Sequence, residues 1–137
     1  MQDMLYAMML WLGVNSSYSV DIPLPNIALT ESGNICATYG IKQKAQCEAS
    51  GLVAYYNRRH TIYLPSSLDI NEPADQARLM HELVHYVQWT NQRHKHTCLG
   101  HLEVEAYEIQ DKWRAKFGLS ESIDPFRKIL LAASCDD

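Results

Sequence analysis

The chain has 137 residues, 47% of them hydrophobic and 20% charged, with a formal net charge of -4. That length supports one domain with a proper core, and the composition argues against disorder. The negative balance provides no electrostatic footprint for nucleic acid, and no apolar run is long enough to span a bilayer.

Met4, Leu5, Met8, Met9 and Leu12 form one helical stripe, and Gly13 reads as its stop. Asp3 and the lack of a basic leader argue against a signal peptide here. Val20 to Pro25 is too rich in proline for a central strand, whereas Asn26 to Leu29 reads as a short one. Glu31 to Gln46 is mixed and polar, a loop with a helical turn or two. Gly51–Tyr56 and Thr61–Leu64 are rich in β-branched and aromatic residues, with Asn57 to His60 as a hairpin turn between them.

Asn71-Glu72-Pro73 then reads as an N-cap with an acidic, proline-containing first turn. The helix it opens runs to about Trp89, with Leu79, Leu83, Val84 and Val87 at helical spacing. A polar loop, Asn91 to Gly100, follows. The next helix runs from about His101 to Lys116, with Leu102, Ala106, Ile109, Trp113 and Phe117 on one face and Gly118 as its cap. Asp124 or Pro125 opens a last short helix through Leu131. The expected architecture is α+β in a single domain over 1–137: a helical bundle with a small antiparallel sheet or hairpin.

Four cysteines, none in C-x-x-C spacing, exclude a cysteine knuckle or a thioredoxin-type site. Either Cys36–Cys47 and Cys98–Cys135 are disulfides or the thiols are free. The first option is preferred and implies an oxidising compartment, periplasmic or secreted; the second fits the cytoplasm.

The chemistry concentrates in His81-Glu82-Leu83-Val84-His85, an H-E-x-x-H sequence on the best-supported helix. At about 100° per residue, positions four apart share a face, so His81 and His85 can offer two imidazole nitrogens to one Zn²⁺. Glu82 is placed to take a proton from metal-activated water. Catalytic zinc keeps three protein ligands. Candidates downstream are His94, His96, His101, Glu103, Glu105 and Glu108. His94 and His96, flanked by Arg93 and Lys95, read as solvated loop residues. Glu103 and Glu105 lie about 200° apart around their helix, each roughly 80° from its apolar stripe, so periodicity does not choose between them.

An H-E-x-x-H helix, a loop and a second helix bearing glutamate resemble the gluzincin metallopeptidases, the thermolysin-like class. Glu103-Val104-Glu105-Ala106-Tyr107 is similar to the E-x-x-A-[D/N/Y] pattern that begins with the third ligand in several small gluzincin families, and the His85–Glu103 interval has gluzincin length. The resemblance covers roughly Gly51 to Phe117. It implies a minimal zincin-like domain with His81, His85 and Glu103 as ligands. It also implies a hairpin, Gly51 to Leu64, whose edge strand binds extended peptide. The runs T-I-Y-L-P, H-E-L-V-H-Y-x-Q and E-A-Y-x-x-Q further resemble an uncharacterised bacterial family of small peptidase-like domains. Where thermolysin-like enzymes place an acid four residues after the ligand, to hold a zinc histidine, this chain has Tyr107. His101 with Glu105, also four apart, is the other ligand-and-acid arrangement.

The expected function is zinc-dependent hydrolysis of a peptide bond, with Glu82 as general base and Tyr107, His101 or Tyr63 stabilising the oxyanion. The alternative is a catalytically inactive zinc-binding or interaction module on the same scaffold. The expected partner is a peptide or protein substrate, and a second protein can complete a cleft that so short a chain only partly walls.

Overall fold

The computed structural model describes residues 2–30, 55–57 and 60–135. Among them the order is helix α1 (Gln2–Val14), strands β1 (Asn26–Thr30), β2 (Tyr55–Asn57) and β3 (Thr61–Pro65), helix α2 (Pro73–Thr90), a 3₁₀ turn (Arg93–Lys95), helix α3 (Leu99–Lys116) and helix α4 (Pro125–Ala133). Helices with one small sheet make the fold α+β. Two compact units are formed, one from Met1–Leu24 with Ile70–Asp137 and one from Pro25–Asp69.

In the smaller unit the strand order is β1-β3-β2. β2 pairs antiparallel with β3, Tyr55 opposite Tyr63 and Asn57 opposite Thr61, so the expected hairpin is present over these residues. The expectation of a wholly antiparallel sheet needs correcting. β1 runs parallel to β3, with Asn26 opposite Thr61 and Thr30 opposite Pro65. A parallel neighbour needs a crossover, and strand composition carries no information about direction. Backbone bonds at both ends fix the register, Asn26 N–H donating to His60 O at 2.7 Å and Ser66 N–H to Thr30 O at 2.7 Å. Ile62 and Leu64 are fully buried between half-exposed Thr61 and Tyr63, the period-two alternation of a strand. His60 takes a left-handed conformation at φ 66°. Gly51–Ala54, the Glu31–Gln46 loop and the Cys36–Cys47 pairing lie outside the described residues.

The larger unit is organised around α2. Leu79, Met80, Leu83, Val84, Tyr86 and Val87 are all fully buried there, each burial contributing about 1.5–3 kcal/mol. The N-cap is Glu72 rather than the expected Asn71, with Pro73 in the first turn, where a missing N–H leaves no helical bond unmade. No side chain caps this end, but the Gln76 amide closes onto Ile70 O at 2.9 Å. The Tyr86 hydroxyl donates to Pro23 O at 2.6 Å, holding the proline-rich segment, which forms no strand.

Leu5, Met8, Met9 and Leu12 are the buried face of α1, but Gly13 does not stop the helix. A Cβ at Gly13 would stand 2.7 Å from a Val20 methyl, so a larger residue there would force the Val20 side chain to shift. Gly118 does end α3, at φ 72°, with its N–H on Ala115 O and the Leu119 N–H on Arg114 O, a Schellman arrangement. Leu102, Ala106, Ile109 and Trp113 form the buried face of α3, while Phe117 is exposed. Trp113 meets Trp11 edge-on at 5.1 Å and so joins α3 to α1.

α4 has no fully buried side chain. It is held by its ends. Asp124 caps it by accepting from Arg127 N–H at 2.8 Å, and Ile123, just before it, is buried. Ser122 donates to Asp111 Oδ1 through N–H at 2.8 Å and through its hydroxyl at 2.6 Å. Beyond its other end a disulfide joins Cys135 to Cys98, Cα to Cα 5.7 Å, across 37 residues. A Cβ on Gly100 would lie 2.1 Å from Leu131 O, so the two helices touch at backbone distance there. No helix of the described residues is long and apolar enough to cross a membrane.

Two outcomes follow for denaturant unfolding. Leu83→Ala should lower the unfolding free energy by about 2–5 kcal/mol, since a closely packed site cannot collapse around the cavity. Replacing both Cys98 and Cys135 by Ser should remove about 3–4 kcal/mol, the chain entropy of a loop of that length, and hydrogen exchange should show α4 opening first.

Candidate metal centre

His81 and His85 lie one helical turn apart on α2, and α3 packs beside that turn. The two Nε2 atoms are 3.2 Å apart. His81 Nε2 is 3.5 Å from Glu103 Oε1, and His85 Nε2 is hydrogen-bonded to the same oxygen. These three ligand atoms all lie within 4.8 Å of one another. In a tetrahedral site with bonds of about 2.0–2.1 Å, neighbouring ligand atoms stand roughly 3.3 Å apart. Two edges of the cluster already have that length, and a cation would replace the direct His85–Glu103 bond that forms the third.

What makes the nitrogens converge is on their far side. His81 Nδ1 is 2.9 Å from Gln110 Oε1, and His85 Nδ1 is 2.8 Å from Gln88 Oε1. An amide oxygen only accepts, so each Nδ1 carries a proton, and Nε2 is the nitrogen turned to the centre, able to bind a cation once it carries no proton itself. Gln88 is itself fixed, its amide donating to Leu102 O at 3.0 Å and to Glu105 Oε1 at 2.9 Å. Glu105 also accepts from the Tyr18 hydroxyl. Burial, then that bond, raises the Tyr18 phenol well above its ordinary value, so it stays a donor.

Glu105 therefore faces the support of His85 rather than the ligand atoms. His101 is exposed and stands beside the disulfide, its Nδ1 3.4 Å from Thr97 Oγ1. Cys98, His101 and Cys135 form a second close group, but the disulfide occupies both sulfurs. His94 stacks on Trp89 at 3.5 Å and His96 is exposed. Tyr107 does not take up the histidine-holding role of the acid it replaces: Gln110 does that. The Tyr107 ring instead lies edge-on to His81 at 4.6 Å. Tyr63 belongs to the other unit.

Glu82 is 8% exposed and makes no hydrogen bond within the described residues. Burial raises its carboxyl above the ordinary value, opposed by His85 and His81. Burial would lower His85, but its hydrogen bond to Glu103 and the charges of Glu82 and Glu103 outweigh that and raise it to about 9. Burial would likewise raise Glu103, yet bonds from both imidazoles hold it well below the usual carboxylate range. At neutral pH the metal-free centre is thus a His85 imidazolium on a Glu103 carboxylate. The sign follows for each partner. The raised histidine stabilises the metal-free fold fully below 6.5 and loses that contribution as pH rises through about 9. The lowered glutamate stabilises it above 4.5 and loses that contribution on acidification.

Gln88 and Gln110 are the site residues that motif reasoning did not single out, although both stand in the runs quoted for the resemblance. Their signal is position: each is polar yet at most 7% exposed, among the few buried polar side chains of its helix.

The family model of DUF6647, a domain of unknown function, matches residues 1–137, and the chain belongs to that family. No curated protein and no solved structure matches it.

Gln88→Ala and Gln110→Ala should each weaken zinc binding about 10–100-fold in chelator competition while the fold survives. Zinc uptake at pH 7 should release about one proton, seen as a buffer-dependent enthalpy in calorimetry, and affinity should fall about tenfold per pH unit below 9.

Proposed function

We propose that this protein is a zinc-dependent metallopeptidase of the gluzincin kind, with His81, His85 and Glu103 as ligands and Glu82 as general base. One observation carries the reading: two imidazoles oriented by their Nδ1 bonds and one carboxylate oxygen bring their ligand atoms within 4.8 Å of one another, and the next residue along α2 from His81 is a buried carboxyl. The donor set suits the ion, since nitrogen and carboxylate oxygen in a 2:1 ratio are the ligands of hydrolytic rather than structural zinc sites.

Held by His81, His85 and Glu103, a zinc ion would supply Lewis acidity, lowering the pKa of a water towards about 7 and polarising a carbonyl. Glu82 takes the proton of the attacking water and returns it to the departing amine. Its raised pKa favours this shuttle, because a base poised nearer neutrality both accepts and releases at moderate driving force. Burial raises the Tyr107 phenol, which therefore remains protonated at neutral pH and can donate to the developing oxyanion. The substrate is a peptide or protein. The Cys98–Cys135 disulfide supports a periplasmic or secreted location.

Glu82→Gln separates the enzyme from a silent zinc module. The variant should keep stoichiometric zinc and lose at least about 10²–10⁴-fold in peptide hydrolysis. Hydrolysis unchanged in that variant would remove Glu82 from the mechanism, and a wild-type chain that takes up no zinc at neutral pH would remove the metal. Glu103→Ala should lose zinc outright, whereas Glu105→Ala should only weaken it.

A further inference from the structure

α4 poses a packing puzzle. It has no fully buried side chain and presents Phe126, Ile129 and Leu130 to solvent, each more than half exposed. Hydrophobic burial does not explain its position. The chain nevertheless holds it by a cap, a doubly bonded serine, a buried isoleucine and a cross-link. That investment fixes the first turn of α4, and the first turn carries Arg127.

The Arg127 guanidinium carbon stands 5.7 Å from the centre of the Tyr107 ring, and that ring stands 4.6 Å from the ring of His81. The two contacts in series place the guanidinium within about 10 Å of a metal-ligating imidazole. Arg127 is exposed and makes no ion pair among the described residues. It is thus a cation at the rim of the centre with its fork of donors unused.

Resting on the metallopeptidase reading, we infer that Arg127 binds a substrate carboxylate next to the scissile bond, so that the enzyme removes residues from, or close to, a free carboxyl terminus. An extended peptide advances about 3.3–3.6 Å per residue. With the scissile carbonyl at the metal, the carboxylate of the following residue therefore falls within reach of a guanidinium at this distance. Guanidinium and carboxylate match as a bidentate pair, and Arg127 has no ion pair among the described residues to give up for it. α4 then serves as a wall of the cleft, and the cross-link sets how far the arginine stands from the ligands.

The test is calorimetric binding of two zinc-directed hydroxamates to the zinc-loaded full chain: the monohydroxamate of succinic acid and the uncharged hydroxamate of butanoic acid, which match in length. The succinate probe should bind the wild type about tenfold or more tightly. Arg127→Gln should abolish that preference without changing zinc content or the affinity of the uncharged probe. Lys128→Gln, one residue along, should leave the preference intact. Equal binding of the two probes to the wild type, or equal loss of preference in both variants, would overturn the inference and leave the metallopeptidase reading standing. Failure of both probes to bind a zinc-loaded chain would instead overturn that reading, and this inference with it.

Discussion

Two amide oxygens hold the site together. Gln110 and Gln88 each accept the Nδ1 proton of one imidazole, and that orientation turns both Nε2 atoms towards Glu103. A neutral histidine left to itself places its proton on either nitrogen, and only one option permits ligation there. The glutamines are costly residues to bury, so they must be satisfied. Gln88 is, through the Leu102 carbonyl and Glu105, and Glu105 in turn is held by Tyr18. The hydrogen bonds therefore run outwards from the ligands to the N-terminal segment. Neutral amides in this position add no charge to the centre, unlike the carboxylates that often hold zinc histidines, and leave Glu103 and Glu82 as its nearest anions.

The same arrangement explains why α2 must be buried on almost every side. Its apolar residues pack around it, its histidines face α3, and Glu82 is enclosed with them. Burial raises the Glu82 carboxyl and, without the two imidazoles, would raise it further. A general base needs this intermediate condition, held apart from water yet close to positive charge. The helix thus supplies core residues, two candidate ligands and the proposed base from one stretch of chain, and its face allocation is dictated by the 3.6-residue repeat.

Much of this was legible in the sequence, because it is written in short periods. The His81–His85 spacing, the apolar stripes of α1, α2 and α3, and the glycine that caps α3 are all local patterns. The choice between Glu103 and Glu105 was not local. The two flank the same stripe, and only the rotation of α3 against α2 turns Glu103 to the ligands and Glu105 to Gln88. Strand direction was equally hidden, since Asn26–Thr30 would read the same in either orientation. Gly13 differs for another reason: glycine marks helix ends through its backbone freedom, but here the helix runs one residue further and the missing Cβ leaves room for the Val20 methyl. Arg127 gave no signal at all, because its meaning comes from the ring beneath it.

The ligands and both supporting glutamines come from residues 81–110, two successive helices and the turn that joins them. Closing so short a stretch involves little loop entropy, so contacts here can form before more distant ones. The bond from Tyr18 to Glu105, by contrast, joins residues 87 apart in sequence and must wait for most of the chain. The helical hairpin can therefore acquire its geometry early and on its own, while the brace that reaches it from the N-terminal segment arrives late. A metal ion encountering a half-folded chain would meet its binding residues already near one another, and would act as a template for the remainder.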